Sequence, residues 1–267
     1  MSRPPVALTI AGSDPSGGAG IQADLTTFSA LGVYGTSVIT AQNTQGVARV
    51  HVVPTDFVTQ QLETLIADVR LDAIKIGMLA NAEIVAAVGD FLLRHDHVDH
   101  IVYDPVMVAT SGDLLLDDDA IQAVRDLMPL ASIITPNITE AAALLNTRPA
   151  STLPEMRRHA VALQESGARR VLIKGGHRYK GEEAVDLLLD VDGEELLRGP
   201  RIDTVNTHGT GCTLSSALAA VRPQRDSWFE AAMDAKSYLT AALAAANMLE
   251  IGQGHGPVHH FHQIWSH

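Results

Sequence analysis

The segment most suggestive of chemistry is NTHGTGCT at residues 206–213, which directly precedes an apolar stretch of helical character. Its two glycines, Gly209 and Gly211, allow successive backbone amides to converge, and the N-terminus of the following helix adds partial positive charge. A pocket of this kind stabilises the charge of a transferring phosphoryl group. We therefore predict that Gly209, Thr210 and Gly211 form a catalytic anion hole.

Cys212, the single cysteine of the chain, falls in the first turn of that predicted helix. A thiol at a helix N-terminus commonly has its pKa lowered from a reference value of about 8.5, and the thiolate can accept a proton from an alcohol. A lone cysteine is by default a small buried hydrophobic residue. Its position directly after Gly211 favours the other interpretation, so we predict that Cys212 is the catalytic base.

Three charged residues lie at or just beyond the ends of apolar, strand-like runs: Asp104 ends IVYD, Glu140 follows SIITPNIT, and Lys174 ends VLIK. Magnesium on a nucleotide is usually held by one or two carboxylates, often through water. We predict that Asp104 and Glu140 are the metal ligands and that Lys174 places a cation against the nucleotide phosphates. The alternative is that Glu140 only stabilises a helix N-terminus and Asp104 only satisfies nearby amides.

A glycine-rich loop, AGSDPSGGAGIQAD, follows the first predicted strand and allows a ligand to approach the backbone. Residues 18–23 formally match the dinucleotide fingerprint, which makes an oxidoreductase an alternative. That fold requires an acidic residue at the end of the second strand, where Gln42 and Asn43 stand instead. The sequence contains no G-x-x-x-x-G-K-[ST] motif, so a P-loop is absent.

Apolar runs of strand length alternate with segments of helical period, the pattern of a mainly parallel sheet covered by helices on both faces. The predicted strands are residues 6–10, 36–41, 73–76, 101–103, 132–134 and 171–173. We expect a helix over residues 58–69 capped by Thr55 or Asp56, and an antiparallel hairpin around Asp192 and Gly193 at the C-terminal edge. Ligands of such sheets bind beyond the carboxyl ends of the strands, where the candidate residues lie.

The composition narrows the class of protein. A chain of 267 residues, 46% hydrophobic and 19% charged, fits one α/β domain over residues 1–267. A formal net charge of −12 disfavours nucleic acid as a partner. One cysteine excludes an intrachain disulfide and fits a reducing compartment, and the apolar runs are too short for a signal peptide or a membrane span. We expect a cytoplasmic protein without a membrane partner.

Six segments together resemble a known family: AGSDPSGGAGIQADL, AQNTQGV, KIGML, TPNITEA, LIKGGH and NTHGTGCTLSSALAA. They are similar to the hydroxymethylpyrimidine and phosphomethylpyrimidine kinases of thiamine biosynthesis, in the ribokinase superfamily. The resemblance implies a ribokinase-like three-layer α/β/α fold, ATP and Mg²⁺ as cosubstrates, two successive phosphorylations and a homodimer. It implies that the nucleotide is bound by Asn137, Thr207, Gly209 and Lys174. It also implies a pyrimidine pocket lined by Gly12, Asp24, Gln42, Met78 and Val106.

The amide of Gln42 offers a donor and an acceptor, which suits the edge of an aminopyrimidine ring. Members of the family usually have about three more residues between SVITA and AQNT, and deleting an odd number of residues from a strand turns the later side chains to the opposite face. Two outcomes remain open at this point. Either the chain re-registers so that Gln42 points inward, or the pocket differs.

The predicted reaction is in-line attack of the substrate hydroxyl on the γ-phosphate of MgATP, with Cys212 as base. A pyridoxal kinase is the nearest alternative, because pyridoxal is also a flat heteroaromatic ring bearing a hydroxymethyl group. A non-catalytic pyrimidine-binding protein is disfavoured by the intact set of Asp104, Glu140, Lys174 and Cys212.

Overall fold

The computed structural model describes residues 3–44, 49–107, 118–176 and 183–265. Its strands are β1 (Val6–Ser13), β2 (Tyr34–Asn43), β3 (Val50–Val52), β4 (Ala73–Ile76), β5 (Ile101–Tyr103), β6 (Ile133–Ile134), β7 (Val171–Ile173), β8 (Glu183–Asp190) and β9 (Gly193–Pro200). They form one sheet in the order β3-β2-β1-β4-β5-β6-β7-β8-β9. Six of these strands run parallel to one another, so their carboxyl ends lie at a common edge of the sheet: β1, β2, β4, β5, β6 and β7.

The centre of the sheet is parallel from β2 to β7, and antiparallel strands stand at both edges. The predicted hairpin is confirmed as β8 and β9, where Asp190 pairs with Gly193. Strand β3 was not predicted from the sequence. All three of its residues are exposed, so it lacks the burial pattern by which strands are recognised.

The helices are α1 (Gly20–Ala30), α2 (Thr55–Ile66), α3 (Ala82–Arg94), α4 (Asp118–Leu127), α5 (Ile138–Leu144), α6 (Leu153–Glu165), α7 (Thr210–Val221) and α8 (Trp228–Ala244). One hydrophobic cluster packs the five helices α2, α3, α4, α5 and α6 against one face of the sheet. A second cluster packs α1, α7 and α8 against the other face. This arrangement confirms the predicted three layers. In the part of the chain that the structure describes, no helix is both long and apolar enough to cross a bilayer.

The beginning of α2 differs from the sequence-based expectation. Neither Thr55 nor Asp56 occupies the N-cap position, which is held by Pro54 and has no side-chain cap, although Asp56 Oδ1 accepts from the Phe57 amide in the first turn at 2.9 Å. By contrast, α5 has a complete capping box, in which Asn137 and Glu140 satisfy each other's backbone amides. Helix α5 begins at the edge of the sheet where the carboxyl ends of the parallel strands lie.

Candidate active site

The predicted anion hole lies at the N-terminus of α7. Gly209 has φ 76° and forms the N-cap, and a Cβ at this position would collide with the carbonyl oxygen of Gly18. The amide of Thr210 bonds the carbonyl oxygen of Thr207 at 3.3 Å. The following amides, of Gly211 and Cys212, belong to the first helical turn, whose N–H groups have no intrahelical partner. The turn can therefore present backbone donors to an anion.

Cys212 stands in the first turn of α7, as predicted, but the expected lowering of its pKa is wrong for the ligand-free protein. Desolvation raises the pKa of the thiol, and the neighbouring Lys75 ammonium and a hydrogen bond from the Gly20 backbone oppose that shift without reversing it. A helix N-terminus favours the thiolate by only a modest amount, so burial decides the outcome here.

Lys75 is a charged group of this site that sequence reasoning missed. It is fully buried in β4 and donates to both carboxylate oxygens of Asp24, at 2.9 and 2.8 Å. Burial alone would lower the pKa of Lys75, but Asp24, followed by Cys212 and Asp104, raises it overall. A lysine inside the buried run AIKI was the available signal, because a buried charge requires a partner.

Asp24 does not form an open pocket wall. Its carboxylate has no exposed surface and also accepts hydrogen bonds from Thr9 and Ser216, each at 2.6 Å. The predicted contact of Asp24 with the pyrimidine is not supported by this geometry. The residue instead holds Lys75 beneath the N-terminus of α7.

The three charged residues that were predicted to bind the metal and the nucleotide phosphates form one cluster. Lys174 Nζ lies 2.6 Å from Asp104 Oδ1 and 3.8 Å from Glu140 Oε2. A Cβ on Gly211 would lie 3.3 Å from Lys174 Nζ and 3.6 Å from Asp104 Oδ2, so the cluster sits directly beside the anion-hole turn. Asp104 also accepts a hydrogen bond from Ser215 in α7 at 3.3 Å.

Asn137 and Glu140 join this cluster through the capping box of α5. Glu140 accepts from the Asn137 amide at 2.7 Å, and Asn137 Oδ1 accepts from the amides of Thr139 and Glu140, both at 2.8 Å. Burial raises the pKa of the Glu140 carboxyl to about 7, Lys174 opposes this shift and Asp104 adds to it. Glu140 thus stabilises the N-terminus of α5, which is the role given above as the alternative to metal binding. Its carboxylate also lies within reach of Lys174.

The glycine-rich loop is joined to the anion-hole loop by a hydrogen bond between Asp14 and His208. Asp14 accepts from His208 Nε2 at 2.6 Å and from the backbone amide of Ala19 at 3.1 Å. Burial would raise the pKa of Asp14, but the hydrogen bonds from His208 and Ser16 lower it to about 2. The backbone amide of His208 bonds the carbonyl oxygen of Gly256, so the C-terminal segment also packs against this loop.

The predicted ring-binding residues are only partly brought together. A Cβ on Gly12 would lie 2.6 Å from Met78 Cε, which places these two residues in contact at the ends of β1 and β4. Val106, three residues after β5, is partly buried, and its amide bonds the Asp104 carbonyl oxygen at 2.8 Å. The side chain of Gln42 is exposed. Its predicted contact with the ring stays a prediction.

Comparisons with known proteins identify the family. Residues 14–259 match the family described as phosphomethylpyrimidine kinase. A hydroxymethylpyrimidine/phosphomethylpyrimidine kinase of Salmonella typhimurium is 56% identical over 263 residues, which cover 97% of this chain and 98% of that relative. The chain belongs to the phosphomethylpyrimidine kinase family. The predicted family and the prediction of a kinase are thereby confirmed, and the oxidoreductase alternative is not.

Solved structures of this kinase fold include two close matches. A Bacillus subtilis pyridoxal kinase in an ADP complex has a TM-score of 0.91 at 37% identity, covering 99% of this chain and 100% of its own. A phosphomethylpyrimidine kinase of Clostridium difficile has a TM-score of 0.79 at 38% identity, covering 90% and 99%. The ribokinase-like fold is confirmed. Since kinases of two different vitamins share this fold, the backbone alone does not separate the two substrates.

Proposed function

We propose that this phosphomethylpyrimidine kinase family member transfers the γ-phosphoryl group of ATP to the hydroxymethyl oxygen of 4-amino-5-hydroxymethyl-2-methylpyrimidine. It would then phosphorylate the resulting monophosphate to the diphosphate, as a step of thiamine biosynthesis. The observation that carries the proposal is the contact of the anion-hole turn with the Lys174–Asp104 pair at the carboxyl edge of the sheet. Two relatives that are 56% and 54% identical to this chain are named hydroxymethylpyrimidine/phosphomethylpyrimidine kinases.

In this proposal the transferring phosphoryl group lies against the amides at the start of α7. Gly209, Thr210 and Gly211 supply the backbone, and the dipole of α7 adds positive charge that needs no reorganisation during the reaction. Lys174 offsets the charge of the nucleotide phosphates, with Thr207 and Asn137 flanking the same space. Positioning and electrostatics carry most of the rate in reactions of this kind.

Cys212 is the proposed base for the first phosphorylation. The substrate hydroxyl loses its proton to the thiolate as the new O–P bond forms, while the bond from the γ-phosphorus to the departing ADP breaks. The raised pKa of the thiol makes the thiolate a minor species in the ligand-free protein, but a more basic one. Lys75 is the cation whose field stabilises that thiolate.

Asp104 and Glu140 are the residues that would hold Mg²⁺ brought in with the nucleotide. The two buried carboxylates lie near a single ammonium group, that of Lys174. Burial and the neighbouring Asp104 carboxylate raise the pKa of Glu140, so a further cation would stabilise its ionised form. Carboxylate oxygens are also the ligands that magnesium prefers. When bound, the ion would neutralise charge on the phosphates. The residues present therefore fit the metal.

The second candidate function is a pyridoxal kinase, which the overlap with the Bacillus subtilis enzyme favours. The deciding experiment measures ADP release from MgATP with hydroxymethylpyrimidine, its monophosphate and pyridoxal offered separately. Turnover of both pyrimidines is the expected result. Turnover of pyridoxal alone would keep the kinase chemistry and remove the thiamine assignment.

We also propose that the enzyme is a cytoplasmic homodimer. The single cysteine suits a reducing compartment, and the edge strand β3 and helix α2 expose the apolar side chains of Val50, Val52 and Phe57. Light scattering coupled to size exclusion should give a mass near twice that of the chain. A monomer at micromolar concentration would contradict the dimer.

A further inference from the structure

The first turn of α7 carries the amides of the proposed anion hole, yet no side chain caps it. Gly209 occupies the N-cap position, and glycine has no side chain to bond the first amides. The amide of Thr213 closes the turn by donating to the carbonyl oxygen of Gly209 at 2.8 Å. The position of residues 209–212 is therefore sensitive to what holds the two flanking residues, His208 and Thr213.

One segment near the C-terminus bonds both of these flanking residues. The His208 amide donates to the carbonyl oxygen of Gly256 at 3.0 Å, and Thr213 Oγ1 is hydrogen-bonded to His260 Nε2 at 3.1 Å. Residues 256–260 thus contact the chain immediately before the anion-hole turn and immediately after it. The bond at Gly256 uses only backbone atoms, whereas the bond at Thr213 requires the imidazole of His260.

The segment of residues 256–260 is itself anchored to α8. The His259 amide donates to the Ala242 carbonyl oxygen at 3.0 Å, and the Tyr238 hydroxyl donates to the His260 carbonyl oxygen at 2.8 Å. Val258, within the segment, has no exposed surface. These contacts give His260 a fixed backbone, so its side chain can transmit that fixed position to the first turn of α7.

The chemical state of His260 suits a positional role. Burial, together with the neighbouring His259 and His262 imidazoles, lowers the pKa of His260 to about 4, so the ring is neutral at neutral pH. A neutral imidazole has one donor and one acceptor nitrogen, and Nε2 can pair with a hydroxyl in either tautomer. Thr213 is fully buried, and a buried hydroxyl without a partner is unfavourable. Loss of the imidazole would therefore favour a shift of the first turn that gives Thr213 another partner.

We propose that His260 is a positioning residue for phosphoryl transfer: through the Thr213 hydroxyl it holds the anion-hole amides at the start of α7 against the transferring group. The inference rests on the proposed kinase activity and adds a residue outside the anion hole itself. A misplacement of about 1 Å can lower a rate on the order of 100-fold.

Both phosphorylations use the same anion hole, so a displaced turn should slow both. A residue that acted through the Cys212 thiol would instead affect chiefly the first step, because the monophosphate that accepts the second phosphoryl group is already ionised at neutral pH. Comparing the two steps therefore separates a role of His260 in positioning the amides from a role in tuning the base.

The test is a double-mutant cycle of His260→Leu and Thr213→Val, with kcat and KM measured for each phosphorylation. Each single variant should lower kcat by roughly 10- to 100-fold in both steps, with little change in KM for the pyrimidine. If His260 acts through Thr213, the double variant should lose no more than the more affected single variant. Losses in kcat that multiply in the double variant would overturn the proposal, as would a loss confined to the first step.

Conservative variants and a matched control separate positioning from packing. Thr213→Ser keeps the hydroxyl and His260→Gln keeps a polar nitrogen, so both should retain most of kcat. His262→Leu makes the same change on the same segment, but His262 Nδ1 bonds the His259 carbonyl oxygen at 3.0 Å rather than a group of α7. This control should lower Tm and keep kcat. A fall in Tm with unchanged kcat in His260→Leu as well would give His260 a purely structural role and end the proposal.

The measurement does not depend on the stability of one variant. If His260→Leu does not fold, Thr213→Val and Thr213→Ser decide between themselves, because near wild-type kcat in Thr213→Val would contradict the proposal. The outcome for the underlying function is also separate. Turnover of pyridoxal alone would remove the thiamine assignment, and the same cycle run with pyridoxal would decide the role of His260. A wild-type protein that consumes ATP with neither pyrimidine nor pyridoxal would end both proposals.

Discussion

The two ends of the active site differ in how fully their polar groups are engaged. At the phosphoryl end, beyond β5, β6 and β7, Asp104, Glu140 and Lys174 are joined by an ion pair and a capping box. At the ring end, beyond β1, β2 and β4, Gly12 lies beside Met78 and the amide nitrogen of Asn43, and Asn43 Oδ1 has no hydrogen-bond partner among the described residues. The charged groups of the phosphoryl end thus satisfy one another, whereas the ring end keeps an unpaired acceptor among the described residues.

This contrast explains how kinases of different vitamins can share one backbone. The chemistry of phosphoryl transfer requires the same positioned charges whatever the acceptor, so the phosphoryl end can stay constant. Recognition of the acceptor ring depends on a few side chains at the strand ends, which change without disturbing the sheet. A pyridoxal kinase with a TM-score of 0.91 is consistent with this division.

The largest expected effect comes from replacing Cys212, the proposed base. Cys212→Ala should lower kcat for the alcohol substrate by roughly 10²- to 10⁴-fold, the usual contribution of a general base. The monophosphate needs no base, because its second pKa is near 6 and the attacking oxygen is already ionised at neutral pH. We therefore expect a much smaller loss in the second phosphorylation, measured by ADP release with each substrate.

Equal losses in both steps would assign Cys212 a role in holding the phosphoryl group instead. Cys212→Ser is the companion variant, since it keeps a polar group of similar size but has no accessible anion. Binding of the pyrimidine, measured by calorimetry, should be nearly unchanged in both variants.

Lys75→Met tests whether the buried ion pair beneath α7 serves the chemistry or only the fold. Removing the ammonium leaves Asp24 as an unpaired buried charge, which should reduce the free energy of unfolding by about 3–5 kcal/mol. Lys236→Met is the matched control, because Lys236 Nζ pairs with Asp186 at 2.6 Å behind the far edge of the sheet. Both variants should lose stability, measured by denaturant unfolding.

Only Lys75→Met should also lower kcat for the alcohol substrate and shift its pH profile to higher pH, because Lys75 lowers the pKa of the Cys212 thiol. If the profile stays in place, Lys75 has a purely structural role. Activity is measured below the unfolding transition so that the loss of stability does not enter the comparison.

Gly209→Ala probes the turn that presents the anion hole. The left-handed backbone and the collision with the Gly18 carbonyl should cost about 2–4 kcal/mol of stability and displace the amides that we propose bind the phosphoryl group. Gly17→Ala is a control with a similar φ of 78° and nothing near its Cβ, so its cost should be about 1 kcal/mol. Equal unfolding midpoints for the two variants would contradict the close contact of the loops.

Much of the fold could be predicted because burial on both faces makes a strand an uninterrupted apolar run. Strands β4, β5 and β7 have the predicted bounds, and the anion-hole turn was marked by its glycines. Strand β3 could not be found in this way, since an exposed three-residue edge strand carries no such pattern.

The electrostatics of the site were harder to predict because they depend on residues far apart in sequence. Lys75 and Asp24 are 51 positions apart, and the raised pKa of Cys212 follows from burial that no local motif reports. The end of β2 carries a bulge, since Ile39 pairs with Ala11 but Gln42 pairs with Ser13, and a count of residues in the strand does not reveal it.

The smallest expected effect concerns Glu140 at the phosphoryl end and the dependence of stability on pH. In the folded, ligand-free protein the pKa of Glu140 is about 7, raised by burial from its ordinary value of 4.5. The folded state therefore binds a proton that the unfolded chain releases between these two values, so this group makes the protein less stable as pH rises from about 4.5 to 7.

Glu140→Gln keeps an acceptor for the Asn137 amide but removes the titration. The wild-type protein should lose at least about 1 kcal/mol more than this variant between pH 5 and pH 8, in denaturant unfolding without nucleotide. Saturating MgATP should abolish the difference if the cation neutralises the ionised carboxylate, because binding to the ionised form then offsets the cost of burying it. A pH dependence that is the same in both proteins would place the charge of Glu140 in solvent and weaken its proposed role beside the metal.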